Sequence, residues 1–273
     1  MSGASISRIA RCVLLDIEGT VADVRFVYDV MFPFVREHLR EFLNAQWNSP
    51  AIQSSLALLA IDTGLDPDNV PWINHHRAFE SHPKGQPNPG SEISEKQVDA
   101  VVATVNALMD RDSKTTGLKS LQGLVWESGF RTGKLRAEVF PDLVPALDRW
   151  KRAGINLRIY SSGSILAQKL FFAHTTVGDL TPYFSGHYDT TIGSKKEPDS
   201  YLKIAQDLKL SPTQVIFFTD VIGEIEAARK AQMQVIACIR TNNAPLPKDF
   251  HGPSIHSFDE IELVASPGRS ETH

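Results

Sequence analysis

Three uninterrupted apolar runs, residues 12–15, 215–218 and 235–239, punctuate this chain of 273 residues. Each is too short for a stable helix and shows no polar alternation, so each predicts a strand buried on both faces, as in a parallel sheet. The first run stops abruptly at Asp16 and the second at Thr219-Asp220, whereas the third ends without an acid. A fourth strand, residues 155–160, runs into Ser161-Ser162-Gly163-Ser164. Helices alternate with these strands: Leu143, Leu147 and Trp150 face one way after Pro141, Gly154 sits where a left-handed cap would end that helix, and residues 165–172 form another. Between the first strand and this alternation the pattern differs. Val27, Met31, Val35, Leu39 and Leu43 recur every four residues beside Phe26, Val30, Phe34 and Phe42, which predicts an amphipathic helix that Pro33 starts or bends. Residues 44–136 continue as irregular helix, with one clear stripe at Val98, Val101, Val102, Val105 and Leu108 and a break at the loop 82–90. The expected organisation is an α/β core carrying an all-helical insertion, with a disordered tail from Ser266.

Composition narrows the class of protein. A hydrophobic fraction of 42% supports a sizeable core, and 273 residues suit one large domain or a core with a smaller insertion. The formal net charge is −4 and no run of Lys or Arg stands out, so there is no footprint for nucleic acid. Cys12 and Cys238 both fall inside apolar strands, where a free thiol behaves as a small hydrophobe, and no disulfide framework is indicated. No stretch reaches the roughly 20 apolar residues of a membrane span. The expectation is a soluble intracellular protein, in the cytoplasm with the nucleus left open, working as a monomer.

Chemistry concentrates where strands end. Asp16-Ile17-Glu18-Gly19-Thr20 places two carboxylates two residues apart at a strand's carboxyl end, where open α/β sheets bind ligands. Such a pair can divide labour between nucleophile and proton carrier, although an acidic turn explains the string equally well by itself. The serine turn at 161–164 is a ready anion site, or simply a helix cap at Ser161 or Ser164. Lys195 and Lys196 stand in a loop or helix start, where a solvated surface lysine is the commoner outcome. Asp220 ends the second apolar strand, with Glu224 four residues on. The histidines, including His75-His76, show no metal-ligand spacing.

The ordered set of acid, hydroxyl, lysine and acid resembles the four motifs of the haloacid dehalogenase-like superfamily: Asp16 with Glu18, then Ser161, then Lys195, then Asp220 with Glu224. Most phosphatases of that superfamily carry Asp where Glu18 stands. The strings DIEGT, FVYDVMFPFVREHL, YSSGS, AQKLFFAHTTVGDLTPYFSGHYDT and FFTDVIGEIEAA, with the spacing of Lys195, Glu197, Ser200 and Tyr201, are similar to the enolase-phosphatases of methionine salvage, also called acireductone synthases. The resemblance implies a doubly wound, Rossmann-like parallel sheet at residues 1–23 and 137–273 and a helical cap at 24–136. It implies an enzyme that enolises 2,3-diketo-5-methylthiopentyl 1-phosphate and then removes its phosphate through an aspartyl phosphate, with Mg²⁺ as cofactor. In that scheme Asp16 is the nucleophile and Glu18 the acid and base. Ser161, Ser162 and Lys195 hold the phosphate, and the metal sits on Asp16, Asp220 and the backbone carbonyl of Glu18. A simple Mg²⁺-dependent phosphatase for another small molecule would show the same four motifs. A non-catalytic relative would more readily have lost Asp16 or Asp220. The base for enolisation and the cap residues that contact substrate are not assigned.

Overall fold

The computed structural model describes residues 6–66, 70, 72 and 93–265. Strands β1 (Ile6–Ala10) and β2 (Cys12–Leu15) open the chain, and after β2 a π-helical turn, Phe26–Met31, leads into helix α1 (Phe32–Gln46). Helices α2 (Pro50–Asp62), α3 (Glu95–Asp110), α4 (Thr116–Arg131) and α5 (Leu143–Arg152) follow. Then come β3 (Asn156–Tyr160), α6 (Ile165–Ala173), β4 (Gly186–Tyr188), α7 (Pro198–Asp207), β5 (Val215–Thr219), α8 (Ile222–Lys230), β6 (Gln234–Cys238), β7 (Ser254–Ile255) and β8 (Ile261–Ala265).

All neighbours in the main sheet run parallel, in the order β4-β3-β2-β5-β6-β7. The chain winds outward from β2 through β3 to β4, then restarts beside β2 at β5 and winds the other way. That makes the β2/β5 boundary the topological switch point, where the crossovers leave in opposite directions and a crevice opens at the strand ends. Every residue of β2 and β5 is buried, which is why both read as continuous apolar runs. Their register pairs Leu15 with Phe218, and the Asp16 backbone N–H donates to the Phe218 carbonyl at 3.0 Å. The acids that end these strands are thus brought together by the sheet itself.

Aromatic packing fixes the layers on this sheet. Trp150 of α5 stacks on Phe218 at 5.5 Å, with Phe258 edge-on to both. On the other side Tyr160, Tyr201 and Phe217 form a second triad. The small parallel ribbon β1–β8 was not expected from the sequence. Burial alternates along both strands, but the register partners Ile9 and Val264 are apolar at exposed positions, at 59% and 47%, which hides the alternation in the sequence.

The chain divides into two compact units, residues 1–30 with 136–273 and residues 31–135. The first crossing lies at residue 31, later than the residue 24 that the resemblance implied. Phe26 is the reason: it is buried edge-on against Phe171 at 5.8 Å, which keeps residues 24–30 with the α/β unit. The return crossing is fixed by Ala137, which exchanges backbone hydrogen bonds with His174 and Thr176. The expected helix from Val27 likewise begins as the π turn and becomes α-helical only at Phe32, with Pro33 in its first turn.

Within the second unit the stripe Val98, Val101, Val105 and Leu108 of α3 is buried. Helices α2 and α4 meet closely at Gly117, where a Cβ would lie 2.3 Å from the Leu59 backbone nitrogen. Asp62 caps α4 by accepting the backbone N–H groups of Gly117 and Leu118. The expected loop 82–90, His75-His76 and the tail from Ser266 lie outside the described residues. Among the described residues no helix is long and apolar enough to cross a membrane.

Candidate active site

Strand β2 delivers Asp16 buried, at 3% exposure, and the Ile17 backbone N–H donates to its Oδ1 at 2.8 Å. The side chain of Lys195 reaches the same oxygen at 2.6 Å and Glu224 Oε2 at 2.9 Å. Lys195 is therefore no surface lysine; only Lys196 is exposed. Burial by itself would push the ammonium pKa down, but the Asp16 and Glu224 carboxylates outweigh it and hold the group firmly protonated. The rings of Tyr160 and Phe217 flank the ammonium at 5.7 and 5.9 Å. Its loop is tied down by α7: the Tyr201 hydroxyl donates to the Lys195 carbonyl at 2.6 Å and the Ser200 hydroxyl to the Ser194 carbonyl at 2.7 Å. That accounts physically for the spacing of Lys195, Ser200 and Tyr201.

Thr219, quoted in the sequence only as the residue before Asp220, has a structural role of its own. Its hydroxyl lies 2.7 Å from Glu224 Oε2 and 3.3 Å from Asp16 Oδ2, bridging the two acids. Burial, then the Asp16 charge, push the Glu224 carboxyl up to about 7, against the pull of Lys195. Asp220, at the end of β5, is pushed up to about 6 by burial first and the Asp16 charge second.

Glu18 stands two residues beyond Asp16, partly buried, and accepts a hydrogen bond from the Ser161 hydroxyl at 3.3 Å. Burial, reinforced by the Asp16 charge, raises its pKa, so the side chain is inclined to carry a proton. The two serine readings separate here. Ser164 caps α6, accepting the Ala167 N–H at 3.2 Å, while Ser161 is buried and turned to Glu18. Ser162 is exposed in the same turn. Gln168 and Asp189, missed in the sequence, hold that turn: Gln168 Nε2 donates to the Gly163 and Tyr188 carbonyls, and Asp189 accepts the Ile165 N–H. Both lie in the string 167–190 that carries the family resemblance, but their roles are not readable there, because they hold the turn through its backbone groups.

The oxygens that the resemblance assigns to a cation, the Asp16 and Asp220 carboxylates and the Glu18 carbonyl, would make an oxygen-only donor set, which suits a hard divalent cation. Burial first, and repulsion from the Asp16 charge second, raise the pKa of the Asp220 carboxyl beside it. Gly19 leaves the room it needs, since a Cβ there would lie 2.4 Å from Asp220 Oδ2. Among the described residues no three His, Cys, Asp or Glu side chains converge as a metal cluster. The two thiols stand apart from this chemistry: Cys12 and Cys238 are buried and free, and burial pushes both up to about 12.

A parallel sheet with an acid-bearing switch point, a buried lysine and paired acids fits a hydrolase class, and the family model described as haloacid dehalogenase-like hydrolase matches residues 10–232. Within that class the chain is 39% identical over 267 residues to the enolase-phosphatase E1 of Drosophila persimilis, covering 96% of this chain and 99% of that protein. It is also 39% identical over 262 residues to a Sorghum bicolor protein named probable bifunctional methylthioribulose-1-phosphate dehydratase/enolase-phosphatase E1, covering 95% of this chain and 48% of that one. The crystal structure of the UTR4 protein of Saccharomyces cerevisiae superimposes with a TM-score of 0.69 at 27% identity, over 92% of this chain and 99% of that one. The chain belongs to the haloacid dehalogenase-like hydrolases and, within them, to the enolase-phosphatase E1 family. Phosphatases of that superfamily generally use Mg²⁺.

Proposed function

We infer that the protein is an enolase-phosphatase: it enolises 2,3-diketo-5-methylthiopentyl 1-phosphate and hydrolyses the enol phosphate to acireductone and inorganic phosphate. The observation that carries the reading is the pairing, at one strand end, of a lysine-held Asp16 with a Glu18 whose carboxyl is inclined to hold a proton. Family membership along nearly the whole chain then names the substrate.

The residues divide the work as follows. Asp16, held by Lys195 at 2.6 Å, attacks phosphorus through its carboxylate, forming a P–O bond as the ester P–O bond breaks. Glu18 gives its proton to the leaving oxygen, so the product departs as the neutral enol and an aspartyl phosphate remains. The carboxylate left on Glu18 takes a proton from water, whose oxygen attacks phosphorus and frees Asp16 and phosphate. Lys195, with its charge pinned between Asp16 and Glu224, and the turn of Ser161 and Ser162 hold the phosphate oxygens. Asp16, Asp220 and the Glu18 carbonyl would hold Mg²⁺. Bound there, Mg²⁺ supplies positive charge that offsets the meeting of an anionic nucleophile with an anionic ester and the charge that enolisation places on oxygen.

The test is phosphate release from the diketone phosphate with the ultraviolet spectrum of the product followed in parallel. An enol chromophore and one phosphate per turnover, abolished by chelation and restored by Mg²⁺, are expected. Release from ordinary sugar or nucleotide phosphates with none from the diketone phosphate would replace this reading with a simple phosphatase, and full activity after exhaustive chelation would remove the metal.

A further inference from the structure

Strand β6 is the one apolar strand of the sequence without an acid at its end, yet the loop after it reaches into the site. Three of its side chains grip the segment that leaves Glu18. Asn243 Nδ2 donates to the Gly19 carbonyl at 2.8 Å, Arg240 Nε to the Thr20 carbonyl at 3.3 Å, and Asn242 Nδ2 to Asp23 Oδ2 at 2.5 Å. The grip is itself anchored. Arg240 is buried, paired with Asp142 at 2.8 Å, bonded to the His256 carbonyl, and flanked by the rings of Phe140 and Phe258.

Asn243 is the member closest to the chemistry. Its Nδ2 donates to the Cys238 carbonyl as well as to that of Gly19, which assigns the amide's orientation: only the nitrogen end can face two carbonyl oxygens. The other end, Oδ1, is buried without a hydrogen bond and would lie 2.9 Å from a Cβ on Gly19, beside Asp220 Oδ2 at 2.4 Å from the same point. Gly19 has a φ of +69°, a conformation a side-chain-bearing residue adopts at a cost, and its N–H donates to the Ala22 carbonyl at 2.8 Å. A peptide is planar and trans, so anchoring the Gly19 N–H aims the Glu18 carbonyl the opposite way. Asn243 anchors the next carbonyl. Between them the two bonds set the plane in which Glu18 stands.

We propose that Asn243 is a positioning residue of this site: through Gly19 it sets the pose of Glu18, and its loss slows breakdown of the aspartyl phosphate more than it weakens substrate binding. The proposal rests on the functional reading above. Water activation by Glu18 is the step most sensitive to its pose, because the water is held only by the groups around it, whereas the substrate phosphate keeps Lys195 and the serine turn. Supporting groups of this kind are worth about 10- to 100-fold in activity or metal affinity.

The test compares wild type with Asn243→Ala and with Asn243→Asp, which keeps the shape but loses the N–H donor. Steady-state kinetics are combined with acid-quench trapping of the phosphoenzyme from ³²P-labelled substrate. The expected result in both variants is a kcat lower by about 10- to 100-fold, KM within about twofold, a higher Mg²⁺ concentration for half-activation, and a larger fraction of enzyme trapped as aspartyl phosphate. If Asn243→Ala does not fold, Asn243→Asp decides. A kcat near wild type, or a fall in kcat with no more phosphoenzyme than wild type, overturns the proposal alone. A wild type that releases no phosphate overturns the functional reading and this proposal together.

Discussion

Asp16 and Glu18 are two residues apart in sequence and sit in different electrostatic surroundings, and that difference assigns their roles. Asp16 faces the Lys195 ammonium at 2.6 Å and a backbone N–H at 2.8 Å, so its anion is stabilised. Glu18 has one serine hydroxyl at 3.3 Å, and burial with the neighbouring negative charge raises its pKa. A carboxylate held by a lysine beside a carboxyl that burial inclines to keep its proton is the arrangement that separates nucleophile from acid. Asp16→Asn keeps size and removes the attacking anion, so phosphate release should fall by at least about three orders of magnitude while circular dichroism stays native. Turnover near wild type in a folded Asn variant would exclude Asp16 as nucleophile. Glu18→Gln leaves the backbone carbonyl in place and should slow ester cleavage more than enolisation. Enol absorbance should then rise before free phosphate. Loss of both, with loss of hydrogen exchange at the substrate carbon in deuterated water, would instead make Glu18 the enolisation base.

Elements differ in how plainly the sequence declares them, and the reason is packing. Strands β2 and β5 are wholly buried, so they are legible as apolar runs, and the acids at their ends follow from register alone. Lys195 was ambiguous because burial of a lysine depends on Asp16 and Glu224, which are far from it in sequence. Asn243, Gln168 and Asp189 were not legible at all, since each acts on carbonyl or N–H groups that every residue possesses. Strand β4 is short and lies at the sheet edge, and there the serine turn is held through Gln168. Gln168 Oε1 is left to accept, so His187 donates its Nδ1–H to it, at 3.1 Å. Burial, then the charges of Lys169 and Arg158, push this imidazole down to about 4. The unfolded chain binds that proton at about 6.5, so stability is fully present above pH 6.5 and is lost as pH falls toward 4. His187→Asn keeps a donor and removes the titration. It should flatten the fall in unfolding free energy between pH 6.5 and 4 by roughly 1–2 kcal/mol, allowing for solvent screening. An unchanged slope would show that His187 does not carry it.

For the molecule as a whole, the cost of this site is a concentration of negative charge in the interior. Asp16, Glu18, Asp220 and Glu224 share one ammonium, Lys195, and the last three have raised pKa values because burial and the Asp16 charge both oppose their ionisation. A carboxyl raised in the folded state favours folding when protonated. Asp220 therefore contributes stability below the unfolded carboxylate pKa of about 4, and that contribution is lost as pH rises through about 6. At pH 7.5 the metal-free protein should accordingly be less stable than its fold allows. Asp220→Asn removes one ionised carboxylate without changing shape, and should raise the Tm of the metal-free protein by a few degrees at pH 7.5, corresponding to roughly 1–2 kcal/mol after screening. A cation bound at the same oxygens relieves the same repulsion. Mg²⁺ at about 100 times its dissociation constant adds about 2.7 kcal/mol, so wild type should gain about 5–10 °C in Tm at pH 7.5. The gain should shrink near pH 5, where Asp220 carries a proton, and should be largely absent in Asp220→Asn, which should also be inactive. Thermal scans of both proteins at pH 5 and 7.5, with chelator and with Mg²⁺, read every combination of the comparison. A wild type whose Tm ignores Mg²⁺ at pH 7.5, or an Asp220→Asn variant less stable than the metal-free wild type, would refute the view that this interior trades stability for a place to bind a cation.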